Sequence, residues 1–384
     1  MHYFWLGLLG LAALGWIGQA VEIGLGVLSL HSLEDAVPLA DADCPTVSIL
    51  FAARDEAEKM PGALATFLAL DYPRYEVVAV DDRSEDGTPR ILADAARRNS
   101  ALKFVRVDSL PTGWLGKPHA LQQAYERSSG EWLVFTDADV HFAPDLLRRS
   151  IALAKREGWE HLTLLGRAEM HSFGERVVLT FFGLAFLMGV RPWRVSKGNS
   201  LFYAGIGSFQ LIRRSAYEAM GTHRRLAMEV VDDMKLGKLV KAAGIRSGVA
   251  RAGAEVSVHW HAGVGNIVRG TTKNFFAASG FRLGLTCVQI AGILYMFVLP
   301  FGALPFARGW ALFLDLIAVA LPLIAEAGAA IEFEVSPLYA LTFPIGALIF
   351  CWMVARSTIV TLWQGGITWR GTFYPLEELR RGVV

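Results

Sequence analysis

Two acids, Asp137 and Asp139, stand two residues apart in the stretch 130–145, GEWLVFTDADVHFAPD. Ahead of them Trp132-Leu133-Val134-Phe135 forms a short apolar run of strand type, bounded by Gly130-Glu131. Two carboxylates at the end of a buried strand are costly unless a positive charge lies between them. Hard divalent cations take oxygen ligands and are commonly shared between one or two carboxylates and the phosphates of a substrate. In open α/β sheets, ligands bind beyond the carboxyl ends of the strands. The run therefore delivers Asp137 and Asp139 to the place where a metal and a diphosphate would sit. A solvated turn with two ordinary acids is the competing reading, because a motif this short has a high false-positive rate.

The elements around the run bear on that choice. Residues 46–53, TVSILFAA, are β-branched and apolar, as in a buried strand, and Arg54-Asp55-Glu56 follows at once, ahead of a helical stretch over 57–70. A second strand, 76–80, ends in Asp81-Asp82-Arg83-Ser84, and Gly87-Thr88 leads into a helix over 89–98. Residues 102–107 form a third strand. Strands alternating with helices predict a parallel, doubly wound sheet. Right-handed crossovers place the strand-end loops on one edge, so Arg54-Asp55-Glu56, Asp81-Asp82 and Asp137-Asp139 are expected in one crevice. Between them, Gly113-Trp114-Leu115-Gly116-Lys117-Pro118-His119 precedes a helix over 120–127. Two glycines, a lysine and a helix start suit a diphosphate contact; a surface loop with a solvated lysine is the alternative. Farther on, Gly205-Ile206-Gly207-Ser208 reads as a glycine-bearing turn, and Asp232-Asp233 opens a helix predicted over 232–243 and stopped at Gly244. Acids at a helix start also serve as caps and dipole partners.

Taken in order, VSILFAARDEAE, VAVDDRSEDGT, GWLGKPHAL and FTDADVHFAPDLLRR resemble the nucleotide-sugar half of a family 2 glycosyltransferase of GT-A fold. The similar subgroup is membrane-anchored and includes hopanoid-associated, carotenoid and ceramide glycosyltransferases. The resemblance covers roughly residues 45–250, and an ordered set of motifs is more specific than any one of them. It implies that Ala53, Arg54 and Glu56 line the nucleoside pocket and that Asp82 contacts the base, usually uracil. It implies Lys117 near the diphosphate, Asp137 near the ribose or metal, and Asp139 on Mg2+ or Mn2+. Gly207 falls in the segment that resembles the family's acceptor region. The acidic pair Asp232-Asp233 stands where the family often has Glu-Asp, and the second acid, Asp233, maps onto the general base that takes the acceptor hydroxyl's proton. Imidazole ligates the metal in some GT-A enzymes. His259 or His261, read as two histidines on one face of a strand over 256–261, is thus a candidate third ligand, with a structural histidine as the alternative. Arg269-Gly270-Thr271-Thr272-Lys273 occupies the place where polymerising relatives carry Gln-x-x-Arg-Trp, which is absent here. Arg269 or Lys273 would neutralise a leaving diphosphate, or meet lipid headgroups.

Composition sets the surroundings. The 384 residues are 53% hydrophobic and 19% charged, with a net charge of +1, so no global field argues for nucleic acid. Cys44, Cys287 and Cys351 lie too far apart for a disulfide framework or a metal-ligand spacing. The apolar excess sits at the two ends. Residues 1–30 read as an uncleaved transmembrane anchor, because no Lys or Arg precedes the run as a signal peptide requires. A polar linker follows over 31–45, the catalytic domain over 46–280, a transmembrane region over 285–363 and a cytosolic tail over 364–384. The apolar run 181–188 is either an interfacial or a core helix. The tail region holds three apolar stretches, 285–306, 310–331 and 338–363, and the middle one carries Asp315 and Glu326. A nucleotide sugar is cytosolic, so the domain is expected on the cytosolic face of a plasma (bacterial inner) membrane. Three full spans after it would put the basic tail on the opposite side, against the positive-inside rule. The expectation is thus an α/β protein: a GT-A domain with a mostly parallel Rossmann-like sheet, flanked by N- and C-terminal membrane helices. Its expected reaction inverts a sugar from a nucleotide-diphosphate donor, a UDP-hexose, onto a lipid hydroxyl. A processive polysaccharide synthase, and a membrane transporter or scaffold with a degenerate nucleotide-binding domain, are the alternatives.

Overall fold

The structure, a computed structural model, describes residues 2–384. Nine strands form its main sheet: β1 (His31–Ser32), β2 (Val47–Ala53), β3 (Tyr75–Asp82), β4 (Leu102–Val107), β5 (Trp132–Asp137), β6 (Val140–Phe142), β7 (His161–Ala168), β8 (Gln210–Arg213) and β9 (Ser247–Val258). The order is β1-β9-β7-β8-β5-β2-β3-β4, with β6 paired to β9 off that path. Neighbours along the order run parallel, except that β8 is antiparallel to both β5 and β7. The β2–β3–β5 centre is almost wholly buried because its residues are apolar on both faces, as a parallel sheet covered by helices requires.

Register fixes the site. Ala53 pairs with Asp81 and Ala52 with Asp137, so the carboxyl ends of β2, β3 and β5 lie side by side. The two loops beyond β2 and β3 are fastened to each other. The Asp55 N–H donates to Ser84 Oγ (3.0 Å), the Glu56 N–H to Thr88 Oγ1 (2.8 Å), and the Glu85 N–H to Asp55 Oδ1 (2.8 Å). Asp55 and Arg83 both take positive φ, 53° and 58°, a strained conformation that these cross-loop bonds hold in place. β9 ends at Val258, opposite Val140, where β6 runs out of partners. His259 and His261 therefore lie beyond the strand rather than on one face of it.

Among the described residues, five helices are long and apolar enough to cross a membrane: Tyr3–Leu28, Phe173–Arg194, Leu283–Ala303, Trp310–Glu332 and Pro337–Gln364. The first and fourth pack through small residues, with Ala12, Ala13 and Ala318 buried together, as close helix approach in lipid demands. Trp16 Nε1 donates to the Met296 carbonyl (2.8 Å), and the Tyr295 hydroxyl donates to that of Leu8 (2.7 Å). Asp315 and Glu326 are buried within the continuous helix Trp310–Glu332 rather than interrupting it. Glu22 ties the first helix to the second, 3.2 Å from Arg191 and 2.6 Å from Arg194. Beyond the last helix the chain turns into a two-stranded hairpin, β10 (Gly366–Trp369) and β11 (Thr372–Pro375), and a short helix Leu376–Arg381.

Candidate active site

Beyond the carboxyl ends of β2, β3 and β5 opens a cavity of about 800 Å³. Its walls include Ala53, Arg54, Glu56, Asp82, Lys117, Asp137, Asp139, Arg269 and Lys273, nine of the residues singled out from sequence. Asp82, at the end of β3, is buried and accepts two bonds from the guanidinium of its neighbour Arg83, at 2.7 and 3.1 Å, with Arg54 3.9 Å away. Gly116, at the start of helix Gly116–Glu126, lies against this pair: a Cβ there would collide with Asp82 Oδ2. That helix carries Lys117 in its first turn, and Lys117 Nζ donates to Asp137 Oδ1 at 2.6 Å.

Asp233, at the start of helix Asp232–Ala242, reaches the same cluster from behind. Its Oδ2 accepts the Gly207 N–H at 3.0 Å. A Cβ on Gly207 would lie 2.6 Å from Asp137 Oδ2 and 3.3 Å from Asp233 Oδ2, so this glycine lets the two carboxylates approach. Burial raises the neighbouring Asp232 to about 6, against the opposing pull of Lys117. Burial alone would lower Lys117, but Asp137, Asp232 and Asp233 outweigh it and hold the ammonium above the ordinary lysine value. Burial, reinforced by Lys117, draws Lys273 down to about 8 despite the same three acids. Two basic and three acidic groups thus share one field.

Asp139 lies at the other side of the β5 loop. Burial, then Asp137, raises its carboxyl above the usual range, and Lys59 at 3.4 Å offsets only part of this. Among the described residues, no group of three or more His, Cys, Asp or Glu surrounds a common point. Two neighbouring carboxylates, one of them, Asp139, buried and raised by the other, with open cavity beside them, nonetheless fit a hard cation that takes its remaining ligands from phosphate and water. The two histidines part company. His259 turns away, its Nε2 3.5 Å from Glu175 Oε2 and its ring against His171, and only its carbonyl faces Lys59. His261 lies on the cavity wall, where burial, Lys59 and Lys273 lower it to about 4, a neutral imidazole at physiological pH.

Several wall residues were not singled out from sequence. The hairpin β10–β11 folds back from the last apolar helix over the Glu56 end of the cavity. Arg370 Nη2 bonds Glu56 Oε1, and the Lys273 ammonium sits 4.0 Å over the Trp369 ring. Tyr374 also lines the wall, and Arg356 reaches it from the helix Phe343–Gln364. The stretch Trp369-Arg370-Gly371 was visible in the sequence only as charge in a tail. An aromatic and an arginine flanking the turn glycine were the available signal.

Comparison with known proteins agrees with this geometry. Residues 48–221 match the family described as Glycosyl transferase family 2. A beta-monoglucosyldiacylglycerol synthase of Trichormus variabilis is 35% identical over 235 residues, 56% of this chain and 47% of that protein. A 4,4'-diaponeurosporenoate glycosyltransferase of Staphylococcus haemolyticus is 25% identical over 198 residues, 50% of this chain and 51% of the other. The chain spans about half the length of both relatives. A mannosyltransferase from Pyrobaculum calidifontis, solved with GDP-Man and Mn2+, superposes with a TM-score of 0.53 at 20% identity, over 93% of this chain and 99% of that one. That likeness shows the fold. The ordered strand-end motifs, the sheet they terminate and the family match thus concur: the segment 48–221 is a glycosyl transferase family 2 domain on a GT-A fold, set among apolar helices.

Proposed function

We propose that this protein is an inverting glycosyltransferase that moves a hexose from a UDP-sugar to a hydroxyl of a membrane lipid. The observation that carries the reading is the convergence of Asp82, Lys117, Asp137 and Asp139 on one cavity, with Asp233 joined to them through Gly207 and one wall built from an apolar helix. Asp82 and the β2 loop suit the nucleoside, Lys117 the diphosphate. Asp139, with Asp137 beside it, would hold Mg2+ or Mn2+, which supplies charge stabilisation to the departing diphosphate. Asp233 takes the acceptor hydroxyl's proton as the hydroxyl oxygen attacks the anomeric carbon and the sugar–phosphate bond breaks. One in-line displacement inverts the anomeric centre. The relatives named above are a monoglucosyldiacylglycerol synthase and a diaponeurosporenoate glycosyltransferase, which favours a membrane-dissolved acceptor.

The membrane arrangement follows from which helix ends touch the domain. Leu28 leads into β1, which pairs with β9. Glu332 pairs with Arg251 (3.5 Å) and Glu334 with Arg167 (3.0 Å), both on the sheet. The hairpin after Gln364 lines the cavity. Leu9, Ala303, Ala307 and Ala311 cluster at the opposite end. In this reading three helices, Tyr3–Leu28, Leu283–Ala303 and Trp310–Glu332, cross, and the continuous helix Phe343–Gln364 runs along the cytosolic face with both ends on that side. The parity conflict between three C-terminal spans and a basic cytosolic tail then disappears.

The test is a donor screen on the purified full chain in detergent, with Mg2+ or Mn2+ and a lipid extract. Asp139→Asn is expected to lose metal-stimulated transfer, and Asp233→Asn to bind UDP as the parent does but to transfer nothing. Parent-like turnover by Asp139→Asn removes the metal assignment; loss of UDP affinity in Asp233→Asn makes it a donor ligand instead.

A further inference from the structure

Helix Phe343–Gln364 carries one charged residue, Arg356, in an otherwise uncharged sequence. Arg356, Val360, Thr361 and Gln364 face the cavity, the spacing of one helix face. The face is fixed by the next residue. Ser357 Oγ donates to the Thr272 carbonyl (2.6 Å) and accepts the Phe276 N–H (2.9 Å), which pins this turn against the segment that contains Lys273.

The other cations on the cavity wall already have a partner. Lys59 has Asp139, Lys117 has Asp137, and Arg370 has Glu56. Arg54 lies near Asp82, Arg269 donates to Asn266 Oδ1 (2.6 Å), and Lys273 to Asn274 Oδ1 (2.9 Å). Among the described residues, Arg356 alone on this wall has neither a hydrogen bond nor an ion pair. A half-buried guanidinium on an apolar helix is costly until an anion meets it. Its planar fork of donors matches phosphate oxygens better than any uncharged group.

We infer that Arg356 is a phosphate-binding residue, supplied to the donor cavity by the apolar helix rather than by the glycosyltransferase domain. The phosphate is assigned to the diphosphate of the donor, because the pinned turn sits beside Lys273, whose charge shares the field of Lys117 and Asp137. This rests on the reaction proposed above for its choice of phosphate, not for the phosphate itself. The membrane-embedded half of the chain then completes the donor site, so that donor affinity depends on how the last helix is seated.

The experiment measures binding of UDP, uridine, inorganic pyrophosphate and phosphatidylglycerol vesicles to the full chain, for the parent, Arg356→Gln and Arg356→Lys. Loss of a charge-assisted bond predicts that Arg356→Gln weakens UDP and pyrophosphate about tenfold and leaves uridine unchanged, with part of the loss restored in Arg356→Lys. Thermal unfolding of Arg356→Gln without ligand is expected at or above the parent's temperature, since no partner is lost and an unpaired charge is removed. A loss confined to vesicles keeps Arg356 as a phosphate ligand and moves the phosphate from donor to lipid headgroup. Parent-like binding of UDP, pyrophosphate and vesicles by Arg356→Gln overturns the inference, as does equal weakening of uridine. A parent that binds pyrophosphate but no UDP fails the proposed reaction alone; one that binds no phosphate ligand at all fails the inference too.

Discussion

Lys273 is pulled in two directions: burial and Lys117 favour its neutral form, while Asp232, Asp233 and Asp137 favour the ammonium. The outcome, near 8, makes it a charge that titrates just above physiological pH. Below that value the ammonium is present beside the proposed diphosphate position; above it the charge is gone. Transfer is therefore expected to fall as pH rises through about 8. Lys273→Arg, which stays charged throughout, is expected to move this alkaline limb upward. A pH–rate profile with the same alkaline limb in both proteins removes Lys273 from the donor site. At this scale much of the site was legible in the sequence. Asp82 and Asp137 end strands, Asp139 follows one and Lys117 lies at a helix start, so the α/β order with right-handed crossovers puts them on one edge. His259 and His261 were not separable, because which one faces the cavity depends on where β9 loses its partner.

Between elements, the decisive contact is that of the segment Ala204–Gly207 with helix Asp232–Ala242. A Cβ on Gly237 would collide with the Ala204 carbonyl, and one on Gly205 with the carbonyl of Asp233. Backbone rests on backbone here, and this seats Asp233 against Gly207. Gly237→Ala must push the helix off the segment, at a cost on the order of 1–3 kcal/mol. It is expected to lower the unfolding temperature and to reduce kcat far more than affinity for UDP, since Asp233 moves while the β2, β3 and β5 loops do not. Gly237→Ala with parent-like kcat shows that this contact does not position the proposed base, Asp233. Over 46–137 the strands and helices followed the hydrophobic periods, and helix 232–243 was read within a residue of its observed end, whereas the strand read at 256–261 is the end of one that runs from Ser247 to Val258. The short strand β1 and the hairpin β10–β11 were not anticipated. A two-residue strand has no period, and two four-residue strands, GITW and TFYP, are too short to establish one.

For the whole molecule, the open question in the sequence was the side on which the chain ends. The proposed arrangement places 332–342 and the hairpin together on the catalytic side, and 303–310 across the membrane. In a cysteine-free chain, Phe306→Cys is expected to react with an impermeant maleimide from outside intact cells. Leu338→Cys and Glu377→Cys are expected to react only after the membrane is opened. Labelling of Leu338→Cys and Glu377→Cys from opposite sides makes helix Phe343–Gln364 a true span and removes the proposed topology.

The sequence by itself determined the class of the protein: apolar ends, an alternating α/β centre, and acids placed where strands end. These are local properties, set by side-chain period and by the cost of leaving carboxylates buried without a counter-charge. Tertiary structure alone decided that Arg356, Trp369, Arg370 and Tyr374, more than 200 residues beyond Asp137, close the same cavity. Only the packing of the apolar helices brings them there, and no spacing along the chain encodes where a helix returns to the membrane surface.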